Sequence, residues 1–137
     1  MSNKETVLTH HNPSDLHRHP AFSQAVEVAP GARLLFIGGQ NATDSSGSVV
    51  GDTVETQTAR ALTNVRTTVE AAGGSIADVA KWTMLVTDNT EIASGFSAFQ
   101  DFWDSTVEPP AITVQVVTGL ANPDYLVEIE AVAAIST

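Results

Sequence analysis

The chain has 137 residues, 42% hydrophobic and only 16% charged, enough for one domain with its own core and too apolar for a disordered segment. Its 16 acids outweigh six bases for a net charge of −10, and those bases (Lys4, Arg18, Arg33, Arg60, Arg66 and Lys81) form no stripe, which argues against a nucleic-acid partner. With no cysteine there are no disulfides or thiol nucleophiles, and no apolar run reaches the roughly 20 residues of a membrane span or resembles the core of a signal peptide. A cytoplasmic protein with no membrane partner is expected.

In chain order, residues 1–20 read as an irregular arm, polar and His-rich, with Pro13 and Pro20; residues 21–137 read as a single domain. "FSQAVEV" and "RLLFIGG" flank Pro30-Gly31, the pattern of a β-hairpin. "NATDSSGSVVGD" is a loop by its Gly, Ser and Asp content. "DTVETQTARALTNVRTTVEAAGG" is the clearest helix, with Val54, Thr58, Leu62, Val65, Val69 and Ala72 on one stripe. Asp52 and Glu55 have the spacing of a capping box, and Gly73-Gly74 supplies a stop.

"VAKWTMLVT" follows as a strand and "EIASGFSAFQDFWD" as a second helix, with Ile92, Phe96, Phe99 and Trp103 on one side. Pro109-Pro110 breaks the chain before the strand "AITVQVV"; "TGLANPD" turns into the last strand, "YLVEIEAVAA". The order β-β-α-β-α-β-β predicts an α+β domain of two layers, both helices on one face of a sheet.

Side chains alternate between the faces of a strand. One set, Ala80, Trp82, Met84 and Val86 with Ile112, Val114, Val116, Val127, Ile129, Ala131, Ala133 and Ile135, is wholly apolar and should meet the helices. The other holds Lys81, Thr83, Leu85, Thr113, Gln115, Val117, Leu126, Glu128, Glu130 and Val132. That face is open in one chain, yet apolar enough that further copies are expected to cover it. An acid buried between copies needs a partner or a purpose, which draws attention to Glu128 and Glu130.

His10, His11, His17 and His19 could ligate a metal, but they sit in an irregular stretch with no cysteine and only Asp15 nearby, so no metal site is expected. "IGGQ" ends a strand in two glycines, which allows close backbone approach by a ligand and equally a plain exit into a loop. No serine lies in a nucleophile-elbow pattern, and the helix aromatics read as core.

Taken together, "FSQAVEV…LLFIGGQ", "QTARALTNVRTTVEAAGGSIADVAKWTMLVTD" and "PPAITVQVVTGLANPDYLVEIEAVA" resemble the Rid family (YjgF or RidA-like, reactive intermediate deaminases) from about Phe22 to Ile135. The resemblance implies a fold similar to Bacillus-type chorismate mutase. It implies a homotrimer whose sheets form a barrel, with clefts between subunits where enamines or imines are hydrolysed to a keto compound and ammonia, without metal or cofactor. Glu128 matches the family's catalytic glutamate. Gly39 and Thr113 match residues giving main-chain contacts to substrate; Gly38 stands where many members have serine, and Phe22 where deaminases carry tyrosine. Ala111 stands where the deaminases hold the substrate carboxylate with arginine, leaving Arg18, Arg33 or Lys81 to supply any cation. The expected function is hydrolytic deamination of an enamine or imine, or a related hydrolysis, in an intersubunit cleft with Glu128 activating water. The alternative is a non-catalytic metabolite-binding or regulatory trimer; an RNA-cleaving reading fits poorly with the charge.

Overall fold

A computed structural model describes residues 7–88 and 91–137. The element order is β1 (Leu8–His11), β2 (Ala25–Val28), β3 (Arg33–Gln40), α1 (Val54–Ala71), a 3-10 turn at Ile76–Asp78, β4 (Val79–Val86), α2 (Ile92–Phe102), β5 (Ala111–Val116) and β6 (Val127–Ile135). The α+β class is as expected. The main sheet has four strands in the order β3-β6-β4-β5, with β6 antiparallel to both its neighbours and β4 parallel to β5. The parallel pair is connected through α2, which packs with α1 on the same sheet face.

Two expectations at the N-terminal end are corrected. The arm is not wholly irregular, because Leu8–His11 forms β1; residues 1–6, with Lys4, lie outside the described residues. The expected hairpin between "FSQAVEV" and "RLLFIGG" does not form: β2 pairs back onto β1, from Leu8↔Val28 to His11↔Ala25, and β3 joins β6 instead. Gly31, at φ 85°, turns the chain there so that it leaves one sheet for another. The two-stranded ribbon is held by Leu8, Val26 and Val28 against Ala80 and Ala134, so it covers one end of the face opposite the helices.

α1 starts one residue later than the Asp52–Glu55 reading. Thr53 is its N-cap: the Thr56 N–H donates to Thr53 Oγ1 at 3.1 Å and the Thr53 N–H to Thr56 Oγ1 at 3.3 Å. Gly73 ends it with φ 88°, as expected. Leu62, Val65 and Val69 are buried in one cluster with Trp82, Val86, Ile129 and Ala133; Val54 and Thr58 on the same stripe are buried as well, and Ala72 at its end is half-buried. On α2 the Phe99 ring meets Trp82 edge-on at 5.8 Å and lies parallel to Trp103 at 6.1 Å. Gly95 lets that helix sit close on β4, since a Cβ there would stand 2.6 Å from Met84 Cε.

Alternation holds along β4 except at its start. A bulge between Val79↔Ala133 and Lys81↔Val132 turns Ala80 away from the helices, into the small cluster under the β1–β2 ribbon. Val116 also departs from expectation: it is exposed, at the end of the edge strand β5.

Candidate functional site

The face turned away from the helices holds most of the candidate residues. Strand pairing orders them in rows: Phe36, Val132, Lys81 and Ala111; then Glu130, Thr83 and Thr113; then Glu128, Leu85 and Gln115. Leu34 and Phe36 are 53% and 75% exposed, too much apolar surface for one edge strand to leave in water without a use. Beyond the end covered by the β1–β2 ribbon this face is open in the single chain, and β3 adds to it two large side chains, Leu34 and Phe36.

Glu128 is placed by groups distant in sequence. Gln57, fully buried on α1, donates from Nε2 to the carbonyls of Gly51 (3.1 Å) and Asp124 (3.0 Å), and its Oε1 accepts the Leu126 N–H at 2.9 Å. Asn41 Nδ2 donates to the Val127 carbonyl at 3.1 Å. Two amide side chains therefore fasten the backbone immediately before Glu128. Neither stood out in the sequence: Gln57 is one place off the apolar stripe of α1, and an asparagine after "IGGQ" reads as a turn residue.

Across from Glu128, β3 slips register between Ile37↔Ala131 and Gln40↔Ile129, so Gly38 and Gly39 bulge beside β6. That brings the Gly39 backbone under the Glu128 side chain: a Cβ on Gly39 would lie 2.6 Å from both Cδ and Oε2. At Gly38 a Cβ would meet nothing within 4 Å. Among the described residues, no hydrogen bond or ion pair engages the Glu128 carboxylate, which is half-buried and open to a water or ligand. Gly39→Ala is accordingly expected to displace this carboxyl while costing little stability, because a flexible side chain can swing aside. Gly38→Ala should not move it. The Glu128 carboxyl carbon resonance distinguishes the two variants.

Lys81 donates from Nζ to Thr113 Oγ1, so these two predicted substrate contacts are joined. Desolvation lowers the Lys81 pKa, and the nearby Glu130 carboxylate raises it in partial compensation. Arg33 donates instead to the Ala72 carbonyl at 3.1 Å, at the end of α1, and belongs to neither cluster on the open face.

Phe22 and Ala111 lie together at the far end. An isolated bridge pairs Ser23 with Ala111; the Ser23 N–H donates to the Pro110 carbonyl at 3.0 Å and its hydroxyl to the Pro109 carbonyl at 2.6 Å. Ala111 is level with Lys81 and Val132, four residues along β6 from Glu128, or roughly 13 Å at strand rise. One chain thus gathers Glu128 with Gly39, and separately Phe22, Ala111, Lys81 and Thr113, but does not bring the two groups together.

The histidines do not converge on a common point. His10 Nδ1 donates to Ser23 Oγ at 2.9 Å, His11 Nε2 lies 2.8 Å from Glu27 Oε1, and the His17 and His19 rings stand 6.0 Å apart, tilted by 44°.

A family model described as Endoribonuclease L-PSP matches residues 14–135. A RutC family protein of Pyrococcus horikoshii is 30% identical over 131 residues, 95% of this chain and 97% of that protein. Among solved structures, a conserved Rid family protein of Yersinia pestis superposes with a TM-score of 0.87 at 30% identity, covering 95% of this chain and 100% of the other. The Escherichia coli protein TdcF, solved with bound serine, superposes with a TM-score of 0.70 at 28% identity, over 99% of this chain and 100% of its own.

Proposed function

The chain belongs to the YjgF/RidA family, and from that premise we propose that it is a small-molecule hydrolase that deaminates an enamine or imine. Its site lies in a cleft between subunits of a homotrimer, with Glu128 as the group that activates water. The observation that carries this reading is the Glu128 carboxylate, without a partner among the described residues and seated over the Gly39 backbone.

The chemistry follows from that seat. A Glu128 carboxylate oxygen takes a proton from water as the water oxygen adds to the imine carbon, and hands it to the nitrogen as that atom takes up the electrons of the carbon–nitrogen double bond. The resulting carbinolamine then collapses: Glu128 takes the hydroxyl proton as the oxygen forms a carbonyl and passes it to the nitrogen as the carbon–nitrogen bond breaks, so that one imine and one water give one carbonyl compound and one ammonia. No redox partner is needed for this balance.

The separation of Glu128 from Ala111 supports a site shared between copies. A head-to-tail ring would set the Phe22–Ala111–Lys81 end of one chain against the Gly39–Glu128 end of the next, and would bury Leu34 and Phe36. A net charge of −10 with no basic stripe disfavours RNA as substrate, whatever the description attached to the family model. The cysteine-free composition fits a cytoplasmic setting, and no described helix is long and apolar enough to cross a membrane.

Phe22 and Ala111 favour one second reading, a trimer that binds a metabolite without turning it over. A single experiment separates the two. Imines or enamines generated in place by a pyridoxal-phosphate enzyme should release ammonia measurably faster in the presence of the protein. Thermal stabilisation by the keto product, with no acceleration of ammonia release by any such substrate, would instead establish the binder.

A further inference from the structure

We propose that His19 and Phe22 form a stacked platform beside Ala111 that receives a conjugated, uncharged part of the ligand: the ligand lies in the plane of the imidazole, against the part of the Phe22 face that His19 leaves uncovered, and its acceptor atom takes the His19 Nε2–H. This rests on the reading of the Phe22–Ala111 end as one wall of the cleft. The two rings are stacked with centroids 5.1 Å apart and only 4° between their planes. His17 flanks both, 6.0 Å from His19 and 6.5 Å from Phe22. His19 and Phe22 are half-exposed, His17 is exposed, and none of the three belongs to a core cluster. The neighbouring anchors are the buried ones: Ala21 is 8% and Ser23 2% exposed.

The imidazole is oriented as well as stacked. The Ala21 N–H donates to His19 Nδ1 at 3.0 Å, so Nδ1 is the acceptor and the ring proton sits on Nε2, the nitrogen left for a ligand. A tight turn bridging His19 to Phe22 holds this arrangement. Ser23 then bolts the turn to the chain entering β5, through Pro109 and Pro110. A preordered ring face with one fixed donor at its edge suits a planar ring or conjugated chain ending in a carbonyl or imine nitrogen.

Charge narrows the ligand further. Lys81, the cation level with Ala111, is bonded to Thr113 and lies in the field of Glu130. Arg18, exposed between the two histidines, is the other cation near the platform, so an anionic probe belongs in the test.

Three small probes titrated against the assembled protein, followed by ligand-detected NMR, test the proposal. Benzamide has the flat ring and the neutral acceptor, benzoate the ring with a charge, and cyclohexanecarboxamide the acceptor without the ring. Benzamide should bind more tightly than either of the others. His19→Ala, losing the donor and the ring stacked on Phe22, should weaken it about tenfold, and His19→Phe, losing the donor alone, by less. No benzamide binding, or binding untouched by both His19 variants, would overturn the platform. So would a preference for benzoate, and its disappearance in Arg18→Ala would reassign the site to an anion held by that arginine. Ammonia release by the wild type is scored separately, so the platform and the hydrolase reading can fail independently.

Discussion

Glu128→Gln should lower ammonia release from imines at least ~100-fold while leaving the fold and the assembly unchanged, since positioned general bases typically contribute 10²–10⁴-fold. The amide matches the carboxylate in shape but cannot take a proton from water. Stability should shift by no more than about 0.5 kcal/mol, because no hydrogen bond or ion pair among the described residues is lost with the charge. Glu128→Asp offers a graded comparison: it keeps the base but withdraws it from the Gly39 backbone, so part of the activity should survive. Single-turnover ammonia release checks both variants, and an unchanged rate in Glu128→Gln would remove this residue from the chemistry.

The second large effect is expected from Phe36→Glu, which should turn the assembly into folded monomers and abolish turnover with it. Phe36 is 75% exposed, so its removal costs the chain's own core little. Buried between copies, a phenylalanine contributes about 1.5–3 kcal/mol for each subunit. A carboxylate in its place would be desolvated without a partner, a cost larger than the gain it replaces. Light-scattering mass and far-ultraviolet circular dichroism together read the outcome: a threefold smaller particle with unchanged secondary structure. An unaltered mass would mean that this edge of the sheet is not where copies meet, and Phe36→Leu is the control that should keep the assembly.

Much of this architecture was legible from local patterns. Period-two alternation placed Lys81, Thr113, Glu128 and Glu130 on one face, and the helical stripe of α1 identified its buried side. What escaped depended on partners. Leu8–His11 is four residues long in a polar stretch, too short for any period, and is a strand because Val26, Val28 and Ala134 pack on it. Asp52 and Thr53 are both competent caps, so composition could not choose between adjacent positions. The inversion of Ala80 exists only in the register between β4 and β6. Gln57 acts on Asp124 and Leu126, far along the chain, and a glutamine on a helix carries no local sign of that. The site was half legible for the same reason: the motif singled out Glu128, but its distance from Ala111 follows from strand order.

That order also governs how the chain can be assembled during synthesis. The strand at the middle of the sheet, β6, follows all its neighbours in sequence, so β3 and β4 have nothing between them until it has been made. A growing polypeptide therefore holds two strand edges, with their unpaired amides and carbonyls, through most of its translation. Such edges invite pairing with the wrong chain, and sheets closed by a late, non-local strand are slow to complete. The acid that the mature protein would use for hydrolysis sits on this closing strand. A truncated or stalled product is thus left with neither a finished sheet nor a water-activating group.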